Sequence, residues 1–235
     1  VSSESRTEPP PASGTSPRER PLLRLAFDFV DSSEAARILS ATAPLIDIAE
    51  VGTSMLKTEG VWAIERVRRA IPGTDLLVDA KTMDDAAYEA GLVFEAGADL
   101  TTVCAGAADA TVTGVVAEAR RHRRAVVGDL VGARATPHRL SRLSELGVDF
   151  IGVHNGSDER ANSADLATQL RTCESLGIGN IQLSGGISPE SVRALHTGTP
   201  AILVVGGYVL DSTEPCDAVR RIRKAMHERF GGTDS

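Results

Sequence analysis

From Leu22 onward, short apolar runs alternate with longer amphipathic segments almost to the C-terminus. The runs are rich in Val, Ile and Leu with few polar interruptions, as suits strands buried on both faces of a parallel sheet. They predict eight strands, at 22–27, 46–51, 75–79, 99–103, 125–130, 149–153, 180–183 and 201–205. The segments between them repeat apolar residues at helical spacing and predict helices near 32–43, 59–71, 84–97, 107–121, 136–146, 163–176, 188–196 and 214–229. Gly97, Gly147 and, more loosely, Gly73 each stand two residues before an aspartate that opens a strand, where glycine provides a left-handed helix cap. The strand-to-strand step averages about 26 residues, close to a minimal βα unit. Eight such units predict a (β/α)8 TIM barrel over residues 22–235. A doubly wound α/β sheet is the alternative fold.

Residues 1–21 break from this pattern. They hold five of the eleven prolines, many serines and no apolar period, and are expected to form a disordered tail. The tail's three Arg and three Glu cancel, so the net charge of −7 belongs to the body. With no Lys/Arg block beyond Arg121-His122-Arg123-Arg124, which suits a helix C-terminus, nucleic acid is not an expected partner. Cys104, Cys173 and Cys216 are odd in number and widely spaced, which points to a reducing, cytoplasmic setting. No apolar run approaches the roughly 18 residues of a membrane span, and the N-terminus lacks the apolar core of a secretory signal.

A barrel carries its chemistry at the C-terminal ends of its strands. In strand order those ends are Asp28, Glu50, Asp79 with Lys81, Thr102 with Cys104, Asp129, His154, Ser184-Gly185-Gly186 and Gly206-Gly207. The stretch Asp79-Ala80-Lys81-Thr82-Met83-Asp84 concentrates two carboxylates and an ammonium, and in an extended strand Asp79 and Lys81 point the same way. Asp84 follows after the chain has begun to turn. The two glycine pairs allow backbone amides to approach a phosphate, with the helix after Ser188 adding its dipole. Tight turns needing positive φ are the competing reading.

Glu50 and Asp79, on adjacent strands, would repel unless a cation or a shared proton lies between them. An oxygen-only pair favours Mg²⁺, which could stabilise an enediolate formed from a ketose phosphate. An ion-pair network with Lys81 is the simpler alternative. Lys81 could hold or protonate a developing alkoxide, and His154 is placed for proton transfer. Asp28 could orient Lys81 or bind a substrate hydroxyl; Asp129 is a weaker candidate for the floor of the site.

These residues resemble a known family. Leu25-Ala26-Phe27-Asp28, Ala49-Glu50-Val51-Gly52-Thr53, the Asp79–Asp84 stretch, Val153-His154-Asn155-Gly156-Ser157-Asp158, Ser184-Gly185-Gly186-Ile187 and Val204-Val205-Gly206-Gly207 are similar to the 3-hexulose-6-phosphate synthases. That group belongs to the orotidine 5′-phosphate decarboxylase superfamily, beside the 3-keto-L-gulonate-6-phosphate decarboxylases. The resemblance covers nearly all of residues 22–230. It implies a TIM barrel, a homodimer with shared active sites, and aldol addition of D-ribulose 5-phosphate to formaldehyde through a metal-stabilised enediolate. By position it makes Glu50 and Asp79 Mg²⁺ ligands, Lys81 the catalytic lysine, and Asp28 a substrate or lysine partner. His154 becomes the proton-transfer group, and Gly185, Gly186, Gly206 and Gly207 the phosphate holders. Asp84 and Thr53 would act across the subunit interface. Asn155 departs from the family pattern, and Tyr208 follows Gly207 where the decarboxylases carry an arginine.

Other expectations compete with this one. A keto-gulonate-phosphate-type decarboxylase would use the same enediolate, and a related aldolase of a specialised biosynthetic pathway would use another ketose phosphate. A non-catalytic phosphosugar sensor would bind without turnover. Orotidine 5′-phosphate decarboxylation needs no metal, and an epimerase would need histidine ligands on strands two and three.

Overall fold

The computed structural model describes residues 20–133, 135–154, 163–196 and 198–231; most of the expected tail lies outside them. Eight strands, β1 (Leu22–Phe27), β2 (Ile48–Val51), β3 (Asp75–Thr82), β4 (Leu100–Cys104), β5 (Ala125–Asp129), β6 (Phe150–His154), β7 (Ile181–Ser184) and β8 (Ile202–Val205), pair in sequence order into a closed barrel. All neighbours are parallel, and β8 returns to β1 by pairing Leu22 with Ile202. The helices are α1 (Ser32–Thr42), α2 (Thr53–Glu59), α3 (Val61–Ala70), α4 (Ala86–Glu95), α5 (Asp109–His122), α6 (Pro137–Glu145), α7 (Ser163–Ser175), α8 (Pro189–Arg193), α9 (Gly207–Leu210) and α10 (Pro215–Phe230). The (β/α)8 barrel read from the apolar pattern is therefore the fold, and the doubly wound sheet is not.

Three departures have local causes. The helix expected over 59–71 is α3, and an unexpected helix, α2, precedes it, the two separated where Gly60 at φ 63° interrupts the helical backbone. Strand β3 runs on to Thr82 rather than ending at Asp79. The helix expected over 188–196 shortens to five residues, closed by a capping box between Ser188 and Ser191. Gly97 (φ 111°) and Gly147 (φ 88°) take the left-handed backbone their position predicts, whereas Gly73 does not.

Alternation along the strands divides the apolar residues between two cores. Leu23, Leu25, Phe27, Val51, Val78, Val126, Val153 and Val205 face outward into the larger core beneath the helices. Ala26, Ile48, Leu77, Leu100, Val127, Phe150, Ile202 and Val204 fill the barrel interior. Toward the C-terminal rim the inward positions become mostly polar, and with Arg24 and Gln182 lower on β1 and β7 they line a cavity.

At the opposite, N-terminal rim the aspartates just before the even-numbered strands clamp the preceding strand. Asp47 accepts from the Leu23 amide at 2.7 Å, Asp99 from Leu76 at 2.9 Å and Asp149 from Val126 at 2.7 Å. Each carboxylate also meets arginine: Arg223 of α10 for Asp47, Arg68 of α3 and Arg124 just before β5 for Asp99, and Arg120 of α5 for Asp149. Among the described residues no helix is long and apolar enough to cross a membrane.

Candidate active site

A cavity of about 680 Å³ opens at the C-terminal rim. Its floor and walls include Arg24, Asp28, Glu50, Asp79, Thr102, Asp129, His154 and Gln182, and the turns at Gly185-Gly186 and Gly206-Gly207 border it. Strand register explains the convergence. Glu50 stands opposite Leu77, and Asp79 lies two residues farther along β3, so both carboxylates face inward one level apart.

The β3 end does more than alternate. Val78 pairs with Thr101 and Thr82 with Val103, so four residue steps on β3 cover the length of two on β4. This bulge contains Asp79, Ala80 and Lys81, with Lys81 in the left-handed region at φ 49°. It is anchored on both sides, because the Lys81 amide donates to Thr102 Oγ1 at 2.8 Å and Cys104 Sγ donates to the Lys81 carbonyl at 3.3 Å. Lys81 thus meets Asp79 through a bulge rather than by the simple extended alternation expected.

The resulting hydrogen bonds form one network. Lys81 Nζ donates to Asp79 Oδ2 at 2.7 Å and to Asp129 Oδ2 at 2.9 Å. Thr102 Oγ1 donates to Asp79 Oδ1 at 2.7 Å, and Thr53 Oγ1 lies 2.8 Å from both Oδ2 and the carbonyl of Asp79. His154 directs Nδ1 to Asp129 Oδ1 at 3.5 Å, so its other ring nitrogen is the one available for proton transfer. Asp129, anticipated only as a weaker candidate for the floor, lines the cavity and is a hub of the network. Burial opposes its charge, but the bond to His154 and the Lys81 ammonium hold its carboxyl well below the usual range. The two carboxylates overcome desolvation at Lys81 and push its ammonium above the ordinary lysine range.

Glu50 does not join Lys81. It is 5% exposed and lies beside Arg24, with Nε and Oε2 2.8 Å apart. Burial pushes its carboxyl up to about 7, with Asp79 and Asp28 adding to the rise and Arg24 opposing it. Asp28 is raised as well, first by burial and then by Asp79. Its carboxylate packs so closely over Gly52 that a Cβ there would stand 2.2 Å from Oδ1.

Asp28, Glu50, Asp79 and Asp129 line the cavity with Arg24, and Lys81 pairs with two of them, so carboxyl groups outnumber cations there. This excess suits a divalent cation, and an all-oxygen pair suits a hard one. Among the described residues no group of three His, Cys, Asp or Glu converges as a complete ligand set. Glu50 and Asp79 can thus supply only part of a coordination shell, leaving positions for substrate oxygens and water, as Mg²⁺ sites commonly do.

Other expected residues fall differently. Gly185 (φ 95°) and Gly186 (φ 70°) adopt backbones that favour glycine, and Gly206 precedes the short helix opened by Gly207. Helix α8 is too short for a substantial dipole and its cap satisfies part of its own N-terminus, so any anion there rests on the glycine turns. Asp84 is exposed and does not line the cavity. Thr53, expected at a subunit interface, turns its hydroxyl onto Asp79 of its own chain. Asn155 and the rest of the motif after His154 lie outside the described residues. Arg24 and Gln182 were not anticipated. The available signal was a lone charge in the apolar run Leu22–Phe27, on the same parity as Asp28.

The family model for orotidine 5′-phosphate decarboxylase / HUMPS matches residues 21–222. The 3-hexulose-6-phosphate synthase of Staphylococcus epidermidis is 31% identical over 205 residues, covering 87% of this chain and 98% of that protein. The crystal structure of 3-hexulose-6-phosphate synthase from Salmonella typhimurium matches with a TM-score of 0.80 at 31% identity, over 88% of this chain and 99% of that one. The 3-keto-L-gulonate-6-phosphate decarboxylase of Vibrio cholerae shares the fold, with a TM-score of 0.78 at 24% identity over 89% and 99% of the two chains.

Proposed function

This chain belongs to the orotidine 5′-phosphate decarboxylase / HUMPS family, and from that membership we propose that it is a Mg²⁺-dependent lyase joining D-ribulose 5-phosphate to formaldehyde. The product would be 3-hexulose 6-phosphate. The observation that carries this reading is the Lys81 ammonium held between Asp79 and Asp129, two carboxylates that line the cavity together with Glu50 and His154.

Glu50 and Asp79 would hold the cation. When bound, Mg²⁺ supplies Lewis acidity that favours the enediolate over the ketone. The amides around Gly185-Gly186 and Gly206-Gly207 bind the phosphate, and Asp28 accepts from a hydroxyl of the sugar chain. His154, oriented by Asp129, takes the proton from C1 of the ketose. The C1–H electron pair then forms the new bond to the formaldehyde carbon, and the former carbonyl oxygen takes a proton to become the product hydroxyl. Lys81 donates to the developing oxyanion; its elevated affinity for protons keeps it a donor throughout.

The chain's surface supports a homodimer. Phe29 is 85% exposed after β1, and Met83 and Tyr88 are exposed beyond β3, next to Asp84. A partner covering these side chains would also lie against Asp84, in keeping with the role across the interface that the family resemblance gives it.

Incubation with D-ribulose 5-phosphate, formaldehyde and Mg²⁺ tests the reaction. Formaldehyde should disappear, and EDTA should stop its loss. Unchanged formaldehyde at every metal concentration would overturn the proposal, and CO₂ release from 3-keto-L-gulonate 6-phosphate would assign the decarboxylase reaction instead.

A further inference from the structure

Arg24 is the only arginine lining the cavity among the described residues, and nothing in the chemistry above uses it. It occupies an inward position of β1, two residues below Ala26 and four below Asp28, and is 2% exposed. A guanidinium this deeply buried requires partners, because an isolated charge at such a depth would cost several kcal/mol. Two are present. Nη1 donates to Gln182 Oε1 on β7 at 2.6 Å, and Nε lies 2.8 Å from Glu50 Oε2 on β2.

The second contact has an unusual geometry. Neither Arg24 Nε nor Glu50 Oε2 completes a hydrogen bond, although both are fully enclosed and adjacent. The contact is therefore a close approach of guanidinium and carboxyl without an aligned hydrogen bond, and it turns Oε2 into the protein. A carboxylate has two oxygens; with Oε2 directed at the guanidinium, Oε1 is the one left for the cavity that Glu50 lines. Gln182 prevents Arg24 from swinging away, so β1, β2 and β7 jointly determine the direction of the carboxylate.

We propose that Arg24 is a positioning residue for Glu50: braced by Gln182, its guanidinium secures the enclosed oxygen and leaves the other presented to a cation. This rests on the reading of Glu50 as a cation ligand. Partners that orient a ligating carboxylate change metal affinity by roughly 10- to 100-fold when removed. The opposite role is equally specific, since a guanidinium beside Glu50 could instead compete with the cation for it.

Titration of the full metal-free chain with Mn²⁺, followed by the EPR signal of the free ion without substrate, separates these roles. The native chain, Arg24→Gln, Arg24→Lys and Gln182→Ala are compared, with thermal unfolding confirming that each is folded. Arg24→Gln should bind Mn²⁺ about 10- to 100-fold more weakly, Arg24→Lys should recover part of the loss, and Gln182→Ala should lose a smaller factor. A folded Arg24→Gln chain that binds as tightly as native, or more tightly, would overturn the proposal. If Arg24→Gln does not fold, native affinity in both Arg24→Lys and Gln182→Ala overturns it. A native chain that binds no Mn²⁺ removes the cation reading of the acidic pair, and this inference with it.

Discussion

The two rims of the barrel use the same residue types to opposite ends. At the N-terminal rim Asp47, Asp99 and Asp149 each accept a strand amide and face arginines from the helices. Each of these carboxylates has at least one arginine beside it, and their hydrogen bonds join strand to strand. At the C-terminal rim four carboxylates crowd two cations, Glu50 and Asp28 are pushed toward their neutral forms, and Lys81 sits in a left-handed bulge. One arrangement pairs every carboxylate with an arginine. The other stays unbalanced until something binds, which is the expected mark of a site whose groups are held for chemistry rather than for stability.

Substitutions at the two rims should therefore separate activity from stability. The largest effect is expected from Lys81→Met, which removes the ammonium between Asp79 and Asp129. It should lower kcat/KM by about three to four orders of magnitude, in line with loss of a proton-transfer or oxyanion-stabilising group. Melting temperature should change far less, and steady-state kinetics beside calorimetry would show the split. Asp99→Ala at the other rim should do the reverse. It leaves the Leu76 amide and the Arg68–Arg124 pair without their shared acceptor, and should cost about 3–5 kcal/mol in denaturant unfolding. The fraction that remains folded should retain native kcat.

The pH response sharpens the contrast. Because Glu50 titrates near 7 in the fold against 4.5 for an ordinary glutamate, the folded chain holds this proton more tightly between those values. Stability of the metal-free protein should fall as pH rises across that window, by on the order of 3 kcal/mol from this group. Mg²⁺ should restore more stability at pH 8 than at pH 5.5, which thermal unfolding with and without the ion would measure. Equal effects at both pH values would break the account of the upper rim. The smallest effect is expected at the glycine turn. Gly186→Ala places a Cβ on a backbone with φ 70° and should cost about 1–2 kcal/mol, with weaker binding of inorganic phosphate read by calorimetry.

Much of this was legible in the chain itself. The period of the apolar runs specified eight parallel strands, because a strand buried on both faces must be apolar at nearly every position. Listing what each strand ends in located Asp28, Glu50, Asp79, Lys81 and His154, since barrels place function at those ends. Of the lower-rim aspartates, Asp99 and Asp149 were noticed only as companions of the Gly97 and Gly147 caps, and Asp47 was not. Their clamping role depends on amides some 23 residues away, which no local pattern reveals.

What the residue order determined by itself was the barrel and the set of ionisable groups at its mouth, both consequences of short-range periodicity. Only the closed structure decided how those groups pair. The bulge that delivers Lys81 to Asp79 arises from register against β4, the promotion of Asp129 to a hub from contacts with β3 and β6, and the capture of Glu50 by Arg24 from the ring joining β7 to β2 through β8 and β1. The physical reason is that charge pairing depends on distance through space and on the burial that strengthens it, and both exist only once the strands have closed.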